Sequence, residues 1–314
     1  MTSKVLKLST LGLLYFVQGA PYGFQSACLP IILRQRGLSF THLGFMKLLF
    51  LPWVCKPLYA PLVDGTMTKQ FWLVLSMICL CITCLITGFF CSVDNVETLS
   101  YVLFLLNLFS ATQDIAVDSL AVRMLTTDEE LGLGNTIQVV AYKAGSIFAG
   151  AMLLYLEHII GWSGMFSVLA SIYIICILLV KCLNLVERST PLSQLSTPEK
   201  IQNEPSNFSL HSIVNDIISA FYTFFELFRI NGTLWMVFFV MFYKLCERAE
   251  QTFSMYLVDK HVPTTTLAGW STLFKTSSLL GSTFAGLSFV NTKVNFWEKW
   301  KFLEKAIIII FRQR

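Results

Sequence analysis

The sequence predicts an all-α membrane protein, a helical bundle of about eight spans, on three observations. The chain is 55% hydrophobic and only 13% charged, with a mean hydropathy of +0.64, whereas a soluble domain carries about 25% charged residues. Its apolar residues fall into runs of about twenty, the length that a bilayer crossing needs. Between the runs, Lys and Arg gather on alternate loops, as the positive-inside rule requires. With the N-terminus inside, the inner segments hold Lys4, Lys7, Lys69, Arg123, Lys181, Arg188, Lys200 and Arg229. The outer loops hold Arg34, Arg36 and Lys260, of which the two arginines run against the bias.

The spans are read at 8–33, 41–63, 71–93, 99–122, 133–156, 162–185, 233–258 and 264–290. The first apolar run follows Lys4 and Lys7 but is long and holds Gln18, Pro21 and Gln25, so it reads as a retained span and not as a cleaved signal. Six spans make an N-terminal bundle over 1–186. A polar linker rich in Ser, Pro and charge follows at 187–209. At 210–230 an apolar stripe including Leu210, Ile213, Ile217, Phe221, Phe224 and Phe228 opposes His211, Asp216, Tyr222 and Glu226, which predicts an interfacial amphipathic helix. Two further spans occupy 231–290. The last segment, 291–314, is basic, with one short apolar run at Ala306–Phe311, and reads as a cytoplasmic tail.

The fourth span carries the most informative stretch. Asn107, Ser110, Ala111, Asp114 and Asp118 recur at three- and four-residue steps and share one helix face. A carboxylate near the bilayer centre costs about 2.5–3.5 kcal/mol on insertion scales. Asp114 and Asp118 therefore need a polar cavity, a basic partner or a proton, unless the helix end reaches headgroup water. In the first span Gln18, Tyr22 and Gln25 stack around Gly19, Pro21 and Gly23, which fits either a bent cavity-lining helix or close packing of small residues. The second span holds Lys47, Lys56 and Pro52, Pro57 and Pro61, and ends at Asp64. Lys143 in the fifth span and Lys275 in the eighth sit near mid-depth, where snorkelling is hard. In the seventh, Lys244, Glu247, Arg248 and Gln251 share a face, and pairing with Glu247 would lower the burial cost.

Other chemistry is weakly represented. The nine cysteines are scattered, and Cys79, Cys81 and Cys84 cluster without a His or carboxylate, so no metal site or cofactor is expected. His42, His158, His211 and His261 are far apart, and neither a nucleophile constellation nor a phosphate loop is present, which argues against an enzyme. Nothing in the basic segments supports nucleic-acid binding.

Lys56-Pro57-Leu58-Tyr59-Ala60-Pro61-Leu62-Val63-Asp64, Ser110-Ala111-Thr112-Gln113-Asp114-Ile115-Ala116-Val117-Asp118, Gly161-Trp162 and Tyr243-Lys244-Leu245 together resemble the acetyl-coenzyme A transporter and muropeptide permease (AmpG-like) branch of the major facilitator superfamily. The resemblance covers about residues 8–288. It implies a major facilitator type helical bundle, here a complete six-helix N-terminal half and an incomplete C-terminal half. It further implies alternating-access transport of acetyl-coenzyme A or a related organic anion, in an endomembrane or the plasma membrane; carboxylates whose burial favours the protonated form are compatible with coupling to protons. On that reading Asp114, Asp118 and Glu247 are the proton-coupling candidates. Gln18, Tyr22, Gln25, Lys56, Lys143, Lys244 and Lys275 are the substrate-binding candidates, and Asp64 the gating-loop candidate. The loop departs from the superfamily pattern, because Gly65 follows Asp64 and only Lys69 supplies positive charge. Eight spans against the family's twelve or so reads as a truncated or alternatively spliced product, or a mispredicted gene model. The alternative function is accordingly a regulatory or inactive membrane protein.

Overall fold

A computed structural model describes residues 4–182 and 232–290, together with 218, 222, 226 and 228–230. These residues are helical throughout their ordered elements, with no strand among them. The linker 187–209 and the tail 291–314 lie outside the described residues, as does nearly all of the amphipathic stretch 210–230.

The first span is built from a helix Lys4–Gly23, a π-helical turn Phe24–Cys28 and a helix Leu29–Gln35. Pro21 and Pro30 flank the turn, and neither can donate a backbone hydrogen bond, so the helix leaves its regular pattern between them. The second span is broken more severely, into Phe40–Phe45, a 3-10 segment Met46–Phe50, Leu51–Val54 and Lys56–Gly65. Pro52 and Pro57 each open a new helical piece, the position where a missing N–H costs least.

The third and fourth spans are regular, and side-chain caps set the starts of the third, fourth and fifth. Thr68 accepts from the Phe71 N–H at the head of Lys69–Phe90, and Asn95 from Thr98 at the head of Val96–Met124. Thr127 does the same for Glu130, so the fifth span begins at Asp128, five residues before its apolar run at 133. That helix runs from Asp128 to Ile147, passes through a second π-helical turn at Phe148–Met152, and continues into Leu153–Cys182. A bend at Gly161, with φ 63° and ψ −177°, divides the fifth span from the sixth. A side chain there would be strained, so glycine is required. The seventh and eighth spans are Thr233–Asp259 and Thr264–Val290.

Among the described residues, four stretches are apolar enough along their length to cross a bilayer on composition alone: Phe40–Val63, Lys69–Phe90, Val96–Met124 and the 53-residue Glu129–Lys181. At about 1.5 Å per residue the last is some 80 Å long, enough for two crossings about its bend. The seventh and eighth helices, 27 residues each, have the length, although the polar band around Lys244 lowers the hydropathy of the seventh.

The helices pack by small residues. Gly19 and Gly23 of the first span lie against the backbone of Tyr142 and Ser146 in the fifth, and Gly145 lies against Phe16; a Cβ at any of the three would overlap main chain. Fully buried Leu11, Leu14, Phe24, Leu73, Met77, Leu99, Phe166 and Tyr173 make the core of the six-helix part. The third span packs on the fourth and sixth, and the eighth packs on the fifth.

Helix ends fall into two sets, as alternating crossings demand. At one end Lys4 pairs with Glu129 at 2.7 Å, while Lys7 donates to the Met124 carbonyl. At the other, Arg34 makes two hydrogen bonds to Asp259, at 2.6 and 2.8 Å, and Arg36 reaches Asp94 at 3.4 Å. The two arginines that run against the positive-inside bias are thus matched by carboxylates.

Candidate functional site

Two hydrogen bonds set the fourth span against the first. Tyr15 donates its hydroxyl to Asp118 Oδ1 at 2.9 Å, and Asn107 Nδ2 donates to Gln25 Oε1 at 2.7 Å. The helices are antiparallel, and the polar face of the fourth span is directed into the bundle. Asp118 also accepts from Gln138 of the fifth span at 3.4 Å. It stands six residues from the end of its helix, about 9 Å at 1.5 Å per residue. Asp118 is therefore held by side chains from two neighbouring helices.

Asp114 has a basic partner. Lys56 Nζ forms an ion pair with Asp114 Oδ2, with the side chains 23% and 15% exposed. The lysine comes from the broken second span, and two contacts aim it. Its ammonium lies 4.1 Å from the Trp53 ring centroid, a cation–π contact, and Trp53 Nε1 donates to Asn107 Oδ1 at 3.1 Å. The break at Cys55, forced by Pro57, sets Trp53 and Lys56 on the same side against the fourth helix. The ion pair partly repays the desolvation of both charges.

A second group spans the fifth and eighth helices. Lys143 Nζ donates to Ser278 Oγ at 3.0 Å, to the Ser278 carbonyl at 3.3 Å and to Ser282 Oγ at 2.5 Å. Reciprocally, Lys275 Nζ lies against Gly150, 3.1 Å from where a Cβ would be. Each helix thus extends a lysine to a small-residue patch on the other. Tyr22 packs its ring against Tyr142 and Phe50, at 5.7 and 6.0 Å between centroids, and so joins the first, fifth and second spans.

Placement of the expected residues is uneven. Gln25, Lys56, Asp114 and Asp118 are linked along the seam of the first, second and fourth spans. Gln18 is fully buried in the same seam with neither amide atom hydrogen-bonded. Lys143 and Lys275 form the second group. Lys244 is exposed on the seventh helix, and the side chains of Glu247 and Asp64 lie outside the described residues. Beside Asp64, Lys69 is buried and donates to the Val63 carbonyl at 3.1 Å. On the first span, Gly19 and Gly23 pack on the fifth helix, while Gln25 bonds Asn107 of the fourth. Sequence reasoning missed Tyr15, Trp53 and Ser282. Tyr15 could have been found, because it lies three residues before Gln18 and seven before Tyr22 on one helix stripe.

Comparison with known proteins places this geometry. Residues 11–309 match the Major Facilitator Superfamily, a match that extends beyond the eighth helix into the basic C-terminal segment. An uncharacterised protein of Haemophilus influenzae is 35% identical over 156 residues, 48% of this chain and 36% of that protein. The anhydromuropeptide permease of Escherichia coli K12 is 28% identical over 172 residues, 53% of this chain and 35% of the permease. A putative transporter AmpG 1 of Rickettsia prowazekii is 25% identical over 158 residues, 46% and 35% of the two. The matched part spans about a third of the length of these relatives. Helices, apolar spans and family match agree: the chain is a multi-pass integral membrane protein and belongs to the Major Facilitator Superfamily.

Proposed function

We propose that the protein is a secondary-active transporter that moves acetyl-coenzyme A or a related organic anion by alternating access, with protons as the coupling ion. Within the AmpG-like branch, the opening Tyr15-Phe16-Val17-Gln18-Gly19-Ala20-Pro21-Tyr22-Gly23 resembles most the protein called major facilitator superfamily domain-containing protein 3. The observation that carries the reading is the Lys56–Asp114 pair in the interior of a membrane bundle. Its lysine is a ready anion site whose occupancy is governed by the carboxylate.

The chemistry follows from charge. While Asp114 is ionised, it holds the Lys56 ammonium and competes with any substrate anion. When Asp114 takes a proton it becomes neutral, and the ammonium is left to the substrate's phosphate or carboxylate. Lys143 and Lys275, lying between the fifth and eighth helices, add positive potential at the junction of the first six spans with the next two. Asp118, hydrogen-bonded to Tyr15 and Gln138, is the second proton carrier. Gln18, Tyr22 and Gln25 supply neutral hydrogen-bonding and aromatic surface. Glu247 on the seventh helix is a further proton-coupling candidate and Lys244 a further anion contact, while Gly65 after Asp64 departs from the superfamily's gating loop.

The test is reconstitution of the 314-residue chain in liposomes, with uptake of labelled acetyl-coenzyme A measured with and without a pH gradient. Saturable uptake is expected, abolished by Lys56→Ala and by Lys143→Ala. Asp114→Asn is expected to retain uptake but lose its response to the gradient. Folded chain that takes up nothing would overturn the reading and favour a regulatory or inactive membrane protein.

A further inference from the structure

The seam between the first and fourth spans carries more hydrogen-bonding capacity than the protein satisfies. In chain order, Gln18 lies between Tyr15 and Gln25 on the first helix, and Ser110 and Gln113 lie between Asn107 and Asp118 on the fourth. Gln18 and Gln113 are 0% exposed, and Ser110 is 1% exposed. Both amide atoms of each glutamine, and the serine hydroxyl, lack a hydrogen-bond partner within the protein. Buried polar atoms are almost always paired, with ordered water where protein offers nothing. The ladder continues to Gln25, whose Nε2 is also unpartnered although its Oε1 accepts from Asn107.

Gln25 also opens onto space. It lines a cavity with Leu29, Leu33, Leu43, Lys47, Phe50 and Leu103, near the end of the bundle where Arg34 meets Asp259, and the room for water there is about 20 Å³. By this measure a single water needs roughly 10–15 Å³. An unpartnered amide donor beside room for a water begins the run of buried polar groups that leads toward the Tyr15–Asp118 bond. We propose that this seam is a hydrated path, in which water enters beside Gln25, is held by Ser110 and Gln18, and reaches Asp118 from the Arg34 end. A proton delivered along it leaves a hydronium as water and converts the Asp118 carboxylate to a carboxyl. The path runs inside the six-helix part, apart from the Lys143 and Lys275 group. It deepens the coupling role given above to Asp118, and its test reads hydration without reading transport.

The experiment is X-ray hydroxyl-radical footprinting of the full chain in nanodiscs, with mass spectrometry of Tyr15. Tyr15 is only 3% exposed, against 66% for Tyr101. Water in the seam is expected to make Tyr15 oxidise at a rate comparable with Tyr101. Leu103→Phe, which fills the entrance with an apolar group, and Ser110→Ala, which removes one water partner, are each expected to lower Tyr15 oxidation severalfold while Tyr101 is unchanged. An unmodified Tyr15 in the natural sequence would overturn the proposal. So would a Tyr15 signal that both substitutions leave intact, since its water would then come from the other end, past Asp118.

Discussion

Removing one side of the Lys56–Asp114 pair should cost far more than removing both. At 4 Å, two unit charges attract by about 4 kcal/mol at an effective dielectric of about 20. The side chains are 23% and 15% exposed, so solvent screens part of that attraction. Breaking a buried pair by deleting one partner costs about 3–5 kcal/mol in a dry interior, so about 2–3 kcal/mol is the expectation here for Asp114→Leu or Lys56→Met alone. The double variant replaces the pair with apolar groups of similar size and should lie within about 1 kcal/mol of the natural chain. The assay is reversible unfolding of all four proteins in mixed micelles, read as a double-mutant cycle. A coupling energy of about 2 kcal/mol or more supports the pair. Additivity within about 0.5 kcal/mol would refute the claim that the two charges depend on each other in the membrane.

Further outcomes follow from other contacts. Gly145→Ala should disrupt the contact of the first and fifth helices and lower the melting temperature strongly, because the new Cβ would overlap the Phe16 carbonyl. Gly44→Ala, with nothing within 4 Å of its added Cβ, is the control and should be neutral or stabilising by about 0.4–1 kcal/mol. Tyr15→Phe leaves Asp118 without its shortest hydrogen bond, and a loss of about 1.5–3 kcal/mol is expected in the same unfolding assay. At the end of the bundle opposite the N-terminus, the guanidinium of Arg34 bonded to Asp259 holds that carboxyl below its ordinary value. A depressed folded pKa means that the contribution of the tie is present above the unfolded value and is lost only as pH falls through the folded one. The tie should therefore be intact from neutral pH down to the ordinary carboxylate range of about 4. NMR titration of labelled Asp259 checks this, with Arg34→Gln expected to move the midpoint up; an unmoved midpoint would count against it.

The sequence by itself determined the helical class and the membrane, because bilayer crossing imposes length and apolarity on the local chain. It also located the face carrying Asn107, Ser110, Asp114 and Asp118, since helical period alone aligns those positions. The prolines of the second span were visible, but its division into four helical pieces was not: Pro52 and Pro57 each open a new piece, whereas Pro61 lies inside a helix. Partnership was not legible. That Asp114 meets Lys56 across 58 positions, and Asp118 meets Tyr15 across 103, depends on which helices are neighbours and at what height. Those are set by long-range packing, here by Gly19, Gly23 and Gly145, which bring the first and fifth backbones into contact. Lys143 shows the same limit. Its depth in the fifth span made it a candidate, but only the tertiary structure gave it Ser278 and Ser282 on the eighth helix. The unpartnered amides of Gln18 and Gln113 likewise had no signature in the sequence, because satisfaction of a hydrogen bond is decided by what other helices bring to it.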